Sequence, residues 1–281
     1  MPEFALVTDS TAYIPQAILD QYEISVAPQV LIWGETSYLD GVDIQPDEFY
    51  QRLKESDVHP TTSQATVAAF HAIFEPLAEA NIPILTIVLS EKLSGTLQSA
   101  RQAKEMIPDA VIELVDSKST AMAMGFQVLA AARAREGGAS FEETIELVKA
   151  SRARTGIYFV VDTLEYLHRG GRIGGASRIF GTALNIKPLL YVKDGQVEPF
   201  EKVRTKSKAI ERMLEVVEHE LEGEQTVRLA CLHAAAEDEA KHVLEEAIQR
   251  LNPVETMIGV VSPVVGNHAG PGTVALAYSS I

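Results

Sequence analysis

Four short segments carry the side chains that could do chemistry. Leu93-Ser94-Gly95-Thr96 lies between an apolar run and an amphipathic one. A serine there reads as a helix N-cap, with unpaired backbone N–H groups and the positive end of the helix dipole facing outward. That is a seat for a carboxylate or a phosphate, and Gly95 lets a ligand approach the backbone closely. Thr61-Thr62-Ser63-Gln64 sets three hydroxyls and an amide in a row. They could line a polar pocket or cap a helix beginning near Ala65. Gly170-Gly171-Arg172-Ile173-Gly174-Gly175 places a guanidinium among glycines, a bidentate grip for an anion. It matches neither Gly-x-Gly-x-x-Gly nor a loop ending in Gly-Lys-Ser/Thr, which weighs against dinucleotide and P-loop readings. Gly266-Asn267-His268-Ala269-Gly270-Pro271-Gly272 offers a histidine able to donate to a carboxylate or to act as a base.

Two enzymatic arrangements can be written from these parts. An acyl hydrolase would use Ser94 as nucleophile and His268 as base, but Ser94 lacks a Gly-x-Ser-x-Gly elbow and the acid partner is unassigned, with only Asp9 and Asp116 to consider. A phosphoryl-transfer enzyme would use the Arg172 loop, but there is no recognisable nucleotide or magnesium motif. No spacing of His, Asp and Glu reads as a metal site. Cys231 is the only cysteine, so no disulfide forms within the chain. It falls in an apolar run at 227–232 that reads as a buried strand.

The elements that must position these residues follow from periodicity. Residues 4–7 read as a buried strand running into the cap-rich turn Thr8-Asp9-Ser10-Thr11, with Pro15 opening a helix. Residues 26–33 read as one strand ending in a hairpin at Gly34, and Pro46 begins a helix to about Lys54. Apolar strands at 84–89, 111–115 and 157–161 alternate with helices at 95–106, 119–135 and 141–151. This alternation argues for a mostly parallel sheet covered on both faces. After Leu164 the pattern changes to a glycine-rich loop and a hairpin about Lys193-Asp194-Gly195. Further strands follow at 227–232, 257–261 and 274–278, with helices at 207–221 and 236–251. The expected fold is α/β in two domains: an N-terminal mostly parallel α/β domain at 1–160 and a C-terminal α+β domain at 161–281.

Composition narrows the function. The 281 residues are 46% hydrophobic and 22% charged, ordinary for a globular protein. No apolar run approaches the length of a membrane span. The N-terminus has neither a basic region nor a signal-length apolar stretch, so a cytoplasmic protein is expected. The net charge of −15 disfavours nucleic acid as a partner. The charge is uneven, however: residues 169–212 hold ten Lys/Arg and four acids, a net +6, which leaves −21 on the rest of the chain. Such a segment can be an anion or partner site.

The four segments, with Val7-Thr8-Asp9-Ser10-Thr11, Val115-Asp116-Ser117-Lys118-Ser119 and Phe200-Glu201-Lys202-Val203-Arg204-Thr205, occur in an order that resembles the DegV family over the whole chain. The chain differs from the usual pattern at Ala65-Thr66 and at Asn267 and Ala269. The resemblance implies a two-domain bacterial protein that buries the tail of one long-chain fatty acid between its domains and needs no cofactor. It implies that Thr62 and Ser94 hydrogen-bond the carboxylate, with Thr61, the Gly95 backbone, His268 and Arg172 close by. The protein would then be a carrier, not an enzyme, presenting the acid to a fatty acid kinase whose acyl phosphate feeds phospholipid synthesis. Arg204 would face that kinase, with Lys202 and Lys206 beside it. The basic segment 169–212 is expected to make transient contact with an anionic membrane as well.

Overall fold

The computed structural model describes residues 3–181 and 186–281. Its described strands, β1–β13 in chain order, form three sheets. β1 (Ala5–Asp9), β2 (Ile24–Ala27), β6 (Ile84–Val88) and β7 (Ile112–Asp116) make a fully parallel sheet in the order β2-β1-β6-β7. All residues of β1 and β6 are buried, as expected of parallel strands covered on both faces. β3 (Val30–Trp33), β4 (Thr36–Leu39) and β5 (Thr61–Ser63) form a small antiparallel sheet in the order β4-β3-β5. The third sheet is mixed. It contains β8 (Thr155–Val160), β9 (Leu189–Lys193), β10 (Gln196–Glu201), β11 (Arg228–His233), β12 (Glu255–Val260) and β13 (Val274–Ser279), ordered β10-β9-β8-β13-β11-β12.

The helix Ala121–Glu136 joins the two larger sheets. It is buried without a break from Ala121 through Ala132 and contacts β1 and β6 of one sheet and β8 and β13 of the other. A helix buried on every side, its one polar side chain there, Gln127, hydrogen-bonded to Ser117 O and Thr155 Oγ1, has no solvent face to present, so it belongs between layers. The hairpin β9–β10 turns at Asp194-Gly195, where both residues have positive φ, as a two-residue hairpin requires.

The structure departs from the sequence reading at several places. Residues 26–33 are two strands in different sheets, split at Pro28-Gln29, because a proline cannot donate to a continuous ladder. β8 pairs with β9 and β13 in the mixed sheet. The strand expected to close the N-terminal half thus belongs with the C-terminal one, and the change of sheet falls before Thr155. Thr61–Ser63 is a strand, and the following helix Val67–Glu79 is capped by Thr66 instead. The stretch expected as a final glycine loop contains the helix Pro263–Ala269, with His268 in its last turn.

Candidate functional site

The parallel sheet creates the crevice. From β1 the chain moves outward to β2 and later returns to β6 on the other side, so the loops leaving β1 and β6 diverge at a topological switch point. Asp9, at the end of β1, holds both loops. Its buried carboxylate accepts from Thr11 N (2.9 Å), Thr11 Oγ1 (2.6 Å) and, across the gap, Leu89 N (2.8 Å). Burial pushes its pKa up, opposed by these hydrogen bonds.

A cavity of about 110 Å³ opens from this crevice, lined by Leu89, Leu93, Phe159, Leu232 and Val261 among others from both larger sheets. It is narrow for a drug-sized pocket. Ser94 and Thr62 also line it. Thr62, Arg172 and His268 border a second, outer chamber of about 290 Å³ that contains His59, Tyr166 and Arg169. The three side chains therefore stand where an apolar interior meets a polar vestibule.

Thr62 is presented by β5, paired opposite Leu31 of β3. Its Oγ1 lies 2.7 Å from His268 Nε2. Burial, followed by the nearby Arg172 charge, pushes the His268 imidazole down to about 4, so the ring is neutral at physiological pH. Its Nδ1 is buried with no hydrogen-bond partner among the described residues. Gly170 allows this position: a Cβ there would stand 2.0 Å from Nδ1.

Asp40 anchors the His268 helix. Its carboxylate accepts from Ser262 Oγ (2.9 Å), Val264 N (3.2 Å) and Ser10 Oγ (2.7 Å). Burial raises its pKa to about 6 against these hydrogen bonds. Tyr50 OH donates to Val261 O at 2.9 Å just ahead of the same helix.

Ser94 is not the expected N-cap. Gly95 holds that position for the helix Thr96–Glu105, and no side chain caps it. Ser94 Oγ instead meets Thr96 Oγ1 at 2.9 Å. Gly95 does not line the cavity; Gln64 packs over it, 3.0 Å from where a Cβ would be. Thr61 borders only the outer chamber. Arg172 uses its guanidinium differently from the expected bidentate anion grip. Nε donates to Leu93 O at 3.0 Å and an η-nitrogen to Gly170 O at 2.6 Å. Among the described residues no acid pairs with it, so its charge remains uncompensated beside the cavity.

The hydrolase arrangement is not formed. His268 bonds Thr62, Ser94 bonds Thr96, and among the described residues no carboxylate reaches His268 Nδ1. Cys231 is buried in β11, which pushes its thiol up to about 12. Among the described residues no cluster of His, Cys, Asp and Glu could hold a metal, and no helix is long and apolar enough to cross a membrane.

In the basic segment, Lys202 and Arg204 are exposed and make no ion pair among the described residues. Lys206 differs: it pairs with Glu239 and, at 3.6 Å, with Asp162.

Gln29 and Asp40 stand out only in three dimensions. The signal for Gln29 is a lone amide inside the apolar run at 26–33. Asp40, in Leu39-Asp40-Gly41, looks like an ordinary turn residue.

Residues 3–280 match the model of the DegV family, whose members are described as uncharacterised proteins. A DegV domain-containing protein of Clostridium perfringens is 38% identical over 278 residues, covering 98% of each chain. A fatty-acid-binding DegV family protein of Thermus thermophilus superposes with a TM-score of 0.94 at 33% identity and full coverage of both chains. A stearic-acid-binding protein of Eubacterium ventriosum gives 0.91 at 27% identity, with 98% of each chain covered.

Proposed function

Since the chain belongs to the DegV family, we propose that it binds one long-chain fatty acid, with the tail in the apolar cavity and the carboxylate at Thr62 and Ser94. One observation carries this reading: hydroxyls, a neutral imidazole and an unpaired guanidinium stand at the junction of an apolar cavity and a polar chamber. An amphiphile with an anionic head and a hydrocarbon tail fits both sides of that junction. The fatty-acid binding of the Thermus and Eubacterium proteins supports it.

The energetics divide the work. Burying an alkyl chain contributes about 0.8 kcal/mol per methylene, so a tail of ~14 methylenes supplies on the order of 10 kcal/mol gross. The head group needs only to be oriented and its desolvation offset. With neutral His268 donating through Nε2–H to Thr62 Oγ1, the Thr62 hydroxyl proton is left for a carboxylate oxygen. Arg172 supplies nearby positive charge while its hydrogen bonds go to backbone carbonyls.

The outer chamber gives the second half of the reading. A carboxylate held by hydroxyl donors keeps an oxygen lone pair free toward the vestibule. A partner kinase can there direct that oxygen onto the terminal phosphorus of ATP, expelling ADP and leaving an acyl phosphate. Arg204 and Lys202, exposed and without ion pairs among the described residues, are the proposed docking residues, and the basic segment also suits an anionic membrane surface. The cytoplasm is the compartment this role requires.

Titrating the delipidated protein with palmitate tests the binding. Saturation at one acid per chain, without competition from butyrate, is the expected result. No saturable binding overturns the reading.

A further inference from the structure

The Ser94 half of the site has an orienting group of its own. We propose that Gln29 is a positioning residue that turns the Ser94 hydroxyl toward the ligand through Thr96. This inference rests on the fatty-acid reading above and assigns how one of its two hydroxyl donors is set.

Gln29 sits at the break between β2 and β3 and is only 1% exposed. Its side-chain Oε1 accepts the Ala65 backbone N–H at 3.1 Å, which fixes the orientation of the amide. The Nε2 end then faces Thr96 and donates to Oγ1 at 2.9 Å, while the Thr96 hydroxyl can also donate back to Oε1 over a longer 3.2 Å. Thr96 is fully buried, and its other neighbour is Ser94 Oγ at 2.9 Å. With Oε1 engaged by the Ala65 N–H and Ser94 Oγ the nearer acceptor, the proposed relay sends the Thr96 proton to Ser94 Oγ. Ser94 must then send its proton elsewhere, and the cavity it lines is the remaining direction.

The chain of donors therefore runs from Gln29 to Thr96 to Ser94 to the ligand. An acceptor-only head group, a carboxylate, is what such a chain selects. The same amide also links the segment after Thr62, through Ala65, to the segment that carries Ser94. Gln29 thus sets the spacing of both hydroxyls as well as the direction of one. Its main chain is held too, with Gln29 N donating to Ser10 Oγ (3.1 Å) and Gln29 O accepting from Asp40 N (2.9 Å).

Gln29→Glu tests the direction of the relay, because a carboxylate of the same shape accepts but cannot donate. Thr96 would then donate backward, and Ser94 would turn its proton onto Thr96. The introduced carboxyl faces Asp9, which already interacts with the Gln29 side chain; Arg172 and His268 line the same cavity as residue 29. Burial and the neighbouring Asp9 favour its protonated form, which regains a donor.

Binding of the fluorescent probe cis-parinaric acid is measured for wild type and variant at pH 8 and again near pH 6. The expected result is about tenfold or greater weakening at the higher pH, with the ratio to wild type recovering at the lower. A deficit that stays constant with pH, or no deficit, overturns the relay. Thr96→Val and Thr96→Ser provide a second test that leaves the amide intact. Valine should weaken binding by a similar factor and serine should restore it; equal behaviour of the two overturns the proposal even if Gln29→Glu fails to fold. Failure of the wild type to bind the probe at all overturns the fatty-acid reading itself, a different outcome from a binding wild type with indifferent variants.

Discussion

Thr62 Oγ1 and His268 Nε2 lie 2.7 Å apart although 206 residues of chain separate them. An edge strand of the small sheet brings one, and the last turn of a short helix brings the other. Replacing Thr62 with valine keeps the shape and removes the hydroxyl. Fatty-acid affinity should fall by about tenfold, the value of one hydrogen bond to a charged group, while Thr62→Ser should retain it. Calorimetric titration of both variants with palmitate makes the comparison, and equal affinities would remove Thr62 from the head-group site. Ser94→Ala is expected to cost a similar factor.

Gly170→Ala probes the same pair from behind. The backbone there is ordinary, with φ −74°, so alanine adds no conformational strain. Its Cβ would stand 2.0 Å from His268 Nδ1, and the ring must move away from Thr62. Overpacking of this kind costs about 1–3 kcal/mol. Thermal melting and palmitate titration should both show a loss. An unchanged variant would mean that the imidazole does not sit against Gly170.

His268 and Asp40 work in opposite directions with pH. His268 has a folded pKa of about 4, below its usual 6.5. The unfolded chain takes the proton first, so this contribution to stability is present above the usual value and is lost as pH falls toward 4. Nitrogen NMR should find the imidazole neutral from pH 5 to 8. Asp40 has a folded pKa of about 6, above its usual 3.8. Its contribution is fully present below the usual value and is lost as pH rises through 6. The stability difference between wild type and Asp40→Asn should therefore shift toward wild type on acidification from pH 7 to 4.5, by about 2 kcal/mol. Denaturant unfolding at the two pH values reads this directly, and a constant difference would contradict it.

Arg204→Ala separates docking from binding. Arg204 is exposed, without an ion pair among the described residues and absent from the cavity lining, so palmitate affinity and melting temperature should not change. Acyl-phosphate formation with a fatty acid kinase should drop several-fold. A variant that loses both together would place Arg204 in the binding site, and one that loses neither would remove it from the docking surface.

Much of this architecture is legible in the sequence because parallel strands buried on both faces read as short apolar runs; Ile84–Val88 is one. The site is less legible. Thr61–Ser63 is too short a strand to show a period of two. Gly266 and Asn267 argue against a helix by propensity. Yet Pro263–Ala269 forms one, tied at its N-terminus by Asp40 and packed with Gly266 against Tyr50. Gln29 finds its partners at Ala65 and Thr96, 36 and 67 residues away. No local spacing encodes such bonds; they exist only once the sheets have assembled.

The central claim concerns a ligand, and mass spectrometry of lipid released by denaturing the purified protein addresses it most directly. The account predicts one long-chain carboxylic acid per chain when the protein is produced in lipid-replete cells, depleted in the Thr62→Val, Ser94→Ala double variant. A wild-type protein that carries no such acid from those cells would contradict it.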